Sequence, residues 1–163
     1  MSLGKAHNRW VIWLGFLLAC LLMVFPLSPQ MQWLRPEWIA LLVIYWTLVM
    51  PLQISITLLW AIGLFLDVLE GSLLGTHALA LMAVVYVCLM SYQRLRNYVL
   101  WHQTVIVFMV VGIHQLIDNW VHSLTGTSAS SPLVFLMPAF TSALVWPLVW
   151  LLLERFRVQY RVT

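Results

Sequence analysis

The chain has 163 residues, of which 63% are hydrophobic and only 8% charged, and its mean hydropathy is +0.96. A soluble globular domain carries about a quarter charged residues, so that class is excluded and an integral membrane protein is indicated. The formal net charge of +3 comes from basic residues scattered singly or in pairs. No cluster tracks a phosphate backbone, so no nucleic-acid partner is expected.

Taken in chain order, the apolar runs predict an all-α bundle of six transmembrane helices in one polytopic domain, 1–163. The spans fall at about 10–26, 37–50, 53–70, 73–92, 98–122 and 132–153. A spanning helix takes roughly 17–25 apolar residues, because each backbone amide in lipid must bond within its own segment. Lys5 and Arg9 before the first run imitate a secretion signal, but "VFPLSPQMQW" offers no small-x-small cleavage site, so a retained helix is expected. The second and third runs are short and separated only by Met50-Pro51-Leu52-Gln53. Proline in mid-helix removes a hydrogen bond and clashes with the preceding turn, so the expectation is a tight hairpin. The alternative is one kinked, tilted helix and a five-span chain.

In the third run, "LDVLEGSLLG" (66–75) sets Asp67 and Glu70 at the end of an uncharged stretch. Gly71 follows the last apolar turn, where helices often end in a left-handed residue, and Gly75 punctuates the return before His77. Acids at a helix C-terminus oppose the macrodipole, so a compensating positive group is expected, either Arg35 or a partner's cation. Ala61 and Gly63 in this run, with Ala78, Ala80 and Ala83 in the next, either permit close helix approach or are ordinary small residues. Cys20 and Cys88 form no CxxC and read as small buried hydrophobes.

The fifth run ends in "IHQLIDNWVHS". His114, Gln115, Asp118, Asn119 and His122 fall within an arc of roughly 140° at 100° per residue. That polar face belongs in the bundle, in water or against a partner, not in lipid. Asp67 and Asp118 lie at matching depths near His77, so a shared outer-leaflet polar pocket is feasible. Three readings stay open for these residues: a metal held by His114, Asp118 and His122; a small-molecule cavity open to the outside; or local capping and cross-helix hydrogen bonding. There is no nucleophile elbow and no glycine-rich phosphate loop, so neither an enzyme, a catalytic residue nor a cofactor is expected.

Charge sets the orientation. With the chain started inside, Lys5, Arg9, Arg94, Arg96, Arg155, Arg157 and Arg161 are cytoplasmic and only Arg35 is outside. Seven against one places both termini in the cytoplasm, and five spans would expel the basic C-terminus. Trp10, Trp13, Trp101 and Trp150 mark inner ends and Trp33, Trp38 and Trp120 outer ends, while Trp46, Trp60 and Trp146 sit deeper as packing residues.

Five segments in order, "RWVIWLGFLLA", "RPEW", "LDVLEGSLLG", "RLRNYVLWHQ" and "WPLVWLLLERFR", resemble the MreD family of rod shape-determining membrane proteins. The resemblance covers essentially the whole chain. It implies a non-enzymatic, multi-pass component of the bacterial inner membrane that binds MreC and, through it, acts with MreB, RodA and the elongation penicillin-binding transpeptidase in lateral peptidoglycan synthesis. It also implies a bundle similar to the substrate-capture subunit of energy-coupling-factor transporters. That similarity keeps an orphan small-molecule or lipid-intermediate binder as the alternative, since fold does not establish function. Asp67, Gly71 and Gly75 match the family's third-span turn, with Glu70 beside them, and Arg35 with Pro36 match its outer loop. His114, Asp118, Asn119 and His122 match no family motif known for the fifth span, and together with His77 they stand as a candidate polar cavity on chemistry alone.

Overall fold

A computed structural model describes residues 10–26, 28, 34–51, 55–95, 98–124, 126 and 134–160. Within them lie six helices: α1 (Trp10–Val24), α2 (Trp38–Val49), α3 (Ile56–Glu70), α4 (Thr76–Leu95), α5 (Leu100–Leu124) and α6 (Met137–Gln159), the last led by a 3-10 turn at Val134–Leu136. No strand occurs among the described residues. Three segments, α4, α5 and α6 with its leading turn, are long and apolar enough to cross a membrane, and α1 and α2 are apolar but shorter.

The helices follow the predicted runs in order, with limits that move by a few residues. α4 starts at Thr76 rather than 73, because residues 71–75 are used by the turn described below. α6 continues to Gln159, so Arg155 and Arg157 ride on a helix instead of a free tail. The expectations for Lys5, Arg9, Trp33, Arg96, Arg161 and the start of the sixth span at Pro132 fall outside the described residues.

α2 is the core of the bundle. All ten residues from Ile39 to Leu48 are buried, and α1, α4 and α6 pack around it. A helix apolar on every side has no face to offer water and settles inside other helices. Its 12 residues run about 18 Å at 1.5 Å per residue. Tyr45, wholly buried, donates its hydroxyl to Glu154 Oε2 at 2.9 Å and packs edge-on against Trp150, which anchors α2 to α6.

Trp46 and Trp146 are buried as expected, but Trp60 is 52% exposed. The buried stripe of α3 runs through Leu59, Gly63, Leu66 and Asp67, and Trp60 lies about 100° away from its leading residue. Pro51 follows the end of α2, as predicted, yet α2 and α3 do not pair as a tight hairpin. α3 packs on α4 and touches α1. The reason is Gly63, where a Cβ would stand 2.6 Å from Ala78 N and 2.9 Å from Ala78 Cβ. Only a residue without a side chain lets the α4 backbone come so near. Ala80 is buried and Ala83 half-buried on α4, while Ala61 faces outward. Cys88 is buried in the core and Cys20 half-buried, both free.

At one end of the bundle the Trp10 and Tyr160 rings meet edge to face at 5.7 Å, joining the start of α1 to the end of α6. Gln103 Nε2 donates to the carbonyls of Leu95 and Tyr98 at 3.2 and 3.1 Å, fastening the α4–α5 connection. The other end carries nearly all the acid.

Candidate functional site: a carboxylate–histidine cluster

α3 stops at Gly71, which adopts φ 67° and ψ 24° and returns its amide to the Asp67 carbonyl. The Ser72 amide reaches the same carbonyl at 3.0 Å. Gly75 has φ 102°. A Cβ at either glycine would meet nothing within 4 Å, so glycine is required there by the left-handed backbone and not by crowding.

This turn delivers its donors to Asp67, which is 0% exposed. Oδ1 accepts from Ser72 Oγ at 2.9 Å, from the His77 amide at 2.8 Å and from His77 Nδ1 at 2.9 Å, and Oδ2 accepts from the Gly75 amide at 2.7 Å. The carboxylate at the unfavourable end of α3 is therefore also the cap on the N-terminus of α4, where amides point outward and the dipole favours an anion. Glu70 Oε2 lies 3.3 Å from His77 Nε2, so the His77 ring is held between two carboxylates, one at each nitrogen.

The expected role of Arg35 is corrected by this geometry. Its guanidinium donates to the carbonyls of Met23 and Phe25 and closes the C-terminal end of α1. Those carbonyls have no partner within α1, and a cation near a helix C-terminus is favoured. Pro36 is half-buried, its carbonyl accepting from the Trp38 amide at 3.0 Å.

The polar face of α5 turns inward as its periodicity predicts. His114 is 2% and Gln115 8% exposed, while Asp118, Asn119 and His122 are half-buried. The His114 ring stands 6.0 Å from that of His77, and His122 Nε2 lies 3.7 Å from Asp118 Oδ1. Gln115 Nε2 donates to Glu37 Oε1 at 2.8 Å, and the Glu37 amide donates to Ser142 Oγ at 2.8 Å. Among the described residues no three His, Cys, Asp or Glu side chains converge to hold a metal ion. His114 faces His77, not a shared ligand point with Asp118 and His122.

The structure thus brings together Asp67, Glu70, His77, His114, Asp118 and His122 from three helices, and adds two residues that sequence reasoning missed, Glu37 and Ser142. Glu37 stood in "RPEW" directly before an apolar run, a position where an unpaired acid would be costly; that was the available signal. Ser142, one hydroxyl in a long apolar helix, had none. Asp67 has both oxygens engaged and Ser72 donates to it, so this pair joins helices instead of presenting a nucleophile and its base.

The match with known proteins covers this whole arrangement: the family described as rod shape-determining protein MreD extends over residues 5–156. The chain belongs to the MreD family. It is 36% identical over 142 residues, 87% of each chain, to the rod shape-determining protein MreD of Haemophilus influenzae. No solved structure matches it. MreD membership gives the chain a part in rod shape determination, and three long apolar helices agree with a membrane protein. Every cluster residue, from Glu37 to Ser142, lies inside the MreD-matched region.

Proposed function

We propose that this chain is a non-enzymatic inner-membrane scaffold of the elongation machinery, a single six-span domain with both termini cytoplasmic that binds MreC. Through MreC it helps couple the MreB cytoskeleton to RodA and the elongation transpeptidase. Membership in the rod-shape family supports the setting. The observation that carries the scaffold reading is Asp67: the most buried acid in a membrane-type bundle is fully occupied in joining α3 to α4. A charge committed to rigidity suits a protein whose work is to present fixed faces.

In this reading the bundle end with Trp10 and Tyr160 faces the cytoplasm and the carboxylate–histidine end faces outward, in accord with the seven-to-one distribution of basic residues. The α1 flank, with Leu14, Leu17, Leu18 and Leu21 all more than half exposed, is available to lipid or to a partner helix.

The test is capture of the tagged chain from detergent-solubilised membranes, with cell shape scored in the same strain. MreC is expected to remain with the chain through washing, and depletion is expected to turn rods into spheres. If MreC is lost at the first wash from a tagged chain that still sustains rods, binding of MreC is not how the chain acts.

A further inference from the structure

An open groove of about 600 Å³ runs between α5 and α6. Trp101, Val105 and Phe108 form one wall and Phe140 and Leu144 the other, all exposed, above a floor at Ala143, which is 6% exposed. Thr104 also lies along it, but its hydroxyl donates to the Leu100 carbonyl of its own helix at 3.0 Å. Apart from the Trp101 indole at the start of α5, the lining offers no free side-chain donor or acceptor. A polar occupant would give up its hydrogen bonds to water and receive none in return, so the groove suits hydrocarbon.

Pro147 lines this groove and also a second one, of about 660 Å³, which continues along α6 past Leu151 to Arg155. Phe140, Leu144, Pro147, Leu151 and Arg155 recur at steps of three and four residues and fall within an arc of about 80° at 100° per residue, so they share one face of α6. From Phe140 to Arg155 this track runs about 22 Å at 1.5 Å per residue. That is the depth of one leaflet with its headgroups, half of a bilayer of about 40–45 Å, whereas a helix crossing the membrane needs about 30 Å of hydrocarbon track alone. The track ends on a cation that is not answered. Arg155 is exposed and pairs with no carboxylate among the described residues, since Glu154 beside it is taken by Arg157 and by the Tyr45 hydroxyl.

We propose that this track is the site of one anionic phospholipid of the inner leaflet, with an acyl chain lying between α5 and α6 and the phosphate accepting from the Arg155 guanidinium. This goes beyond the scaffold reading and takes from it only the orientation, with the end of α6 at the cytoplasmic face. In a membrane hydrocarbon suits hydrocarbon, so the groove by itself selects nothing; its shape holds a chain in place, and the arginine chooses which lipid that chain belongs to. A guanidinium meets phosphate oxygens with two parallel donors, and its apolar stem can lie along Leu151 while the charged head stays at headgroup level. Trp101, 80% exposed, stands where an aromatic ring marks the boundary between chain and headgroup.

The experiment uses the full chain in dodecyl maltoside, titrated with dioleoyl phosphatidylglycerol or dioleoyl phosphatidylcholine and read by native mass spectrometry, which counts the lipids retained. One phosphatidylglycerol is expected to bind about five- to tenfold more tightly than phosphatidylcholine, whose choline cation already answers its phosphate. Arg155→Gln is expected to bring the two lipids within about twofold, while Arg94→Gln, at an exposed cation of the same end outside the groove, keeps the preference. Leu144→Trp fills the groove and is expected to weaken phosphatidylglycerol about fivefold or more. All three positions are exposed, and circular dichroism checks that each variant keeps its fold. Equal retention of the two lipids, a preference that survives Arg155→Gln or is lost as fully in Arg94→Gln, or unchanged affinity in Leu144→Trp overturns the proposal. So does displacement of the lipid by an equal concentration of glycerophosphoglycerol, the headgroup without its chains, since the groove then adds nothing. MreC is absent from this assay, so its outcome and the outcome of MreC capture are independent.

Discussion

Replacing Asp67 by asparagine changes one oxygen into an amine and removes one charge, at a site with no access to water. Four donors converge on the native carboxylate. With the asparagine oxygen kept toward Ser72 and His77, the new amine confronts the Gly75 amide, donor against donor. The Gly75 bond is lost, worth about 1.5–3 kcal/mol as a bond to a charged acceptor, and the buried amide left behind adds about 1–3 kcal/mol. The three remaining bonds weaken as charge assistance disappears, so a total of about 3–5 kcal/mol is expected. Reversible unfolding in mixed micelles measures it, and amide hydrogen exchange locates it, with faster exchange at Gly75 and His77 and little change along α2. An Asp67→Asn protein within about 1 kcal/mol of the parent, with Gly75 exchanging at the native rate, would refute the account of Asp67 as the joint between α3 and α4.

Gly63→Leu forces a side chain into the α4 backbone at Ala78 and is expected to cost at least about 1–3 kcal/mol, seen as a lowered unfolding midpoint. Gly71→Ala meets open space but must hold φ near 67°, so about 1–2 kcal/mol is lost, and Gly71→Asn is expected to lose less; the ranking of the two midpoints is the check. Tyr45→Phe removes the buried hydroxyl from Glu154 at the opposite end and should cost about 1 kcal/mol, because Glu154 is partly solvated and keeps Arg157.

The order of the six helices among the described residues was legible because long apolar runs broken by Pro51, Gly71 and Gly75 leave few alternatives. The positive φ at Gly71 and the inward turn of the α5 polar face followed from local rules of capping and periodicity. What the sequence did not disclose is which helix stands inside the others. α2, α1 and α6 are all strongly apolar, and in a membrane an apolar surface suits lipid and protein equally well, so hydrophobicity carries no inside–outside signal. Trp60 was misplaced for the same reason. The partner of Asp67 is hidden for another reason: charge pattern alone points to a permanent cation, whereas the compensation comes from amides at the start of α4 and from a histidine ten residues away, which only the folded turn brings within reach.

The enclosure of α2 also bears on which parts of the chain the interior depends on. α2 precedes α3 to α6 in the chain, yet its casing is completed by α4 and α6. The ties from Glu37 to Ser142 and from Tyr45 to Glu154 both depend on α6. Without α6, the 12-residue helix α2 has one side uncovered. The interior of the bundle is therefore finished only by a segment distant in sequence: both ties span more than a hundred residues.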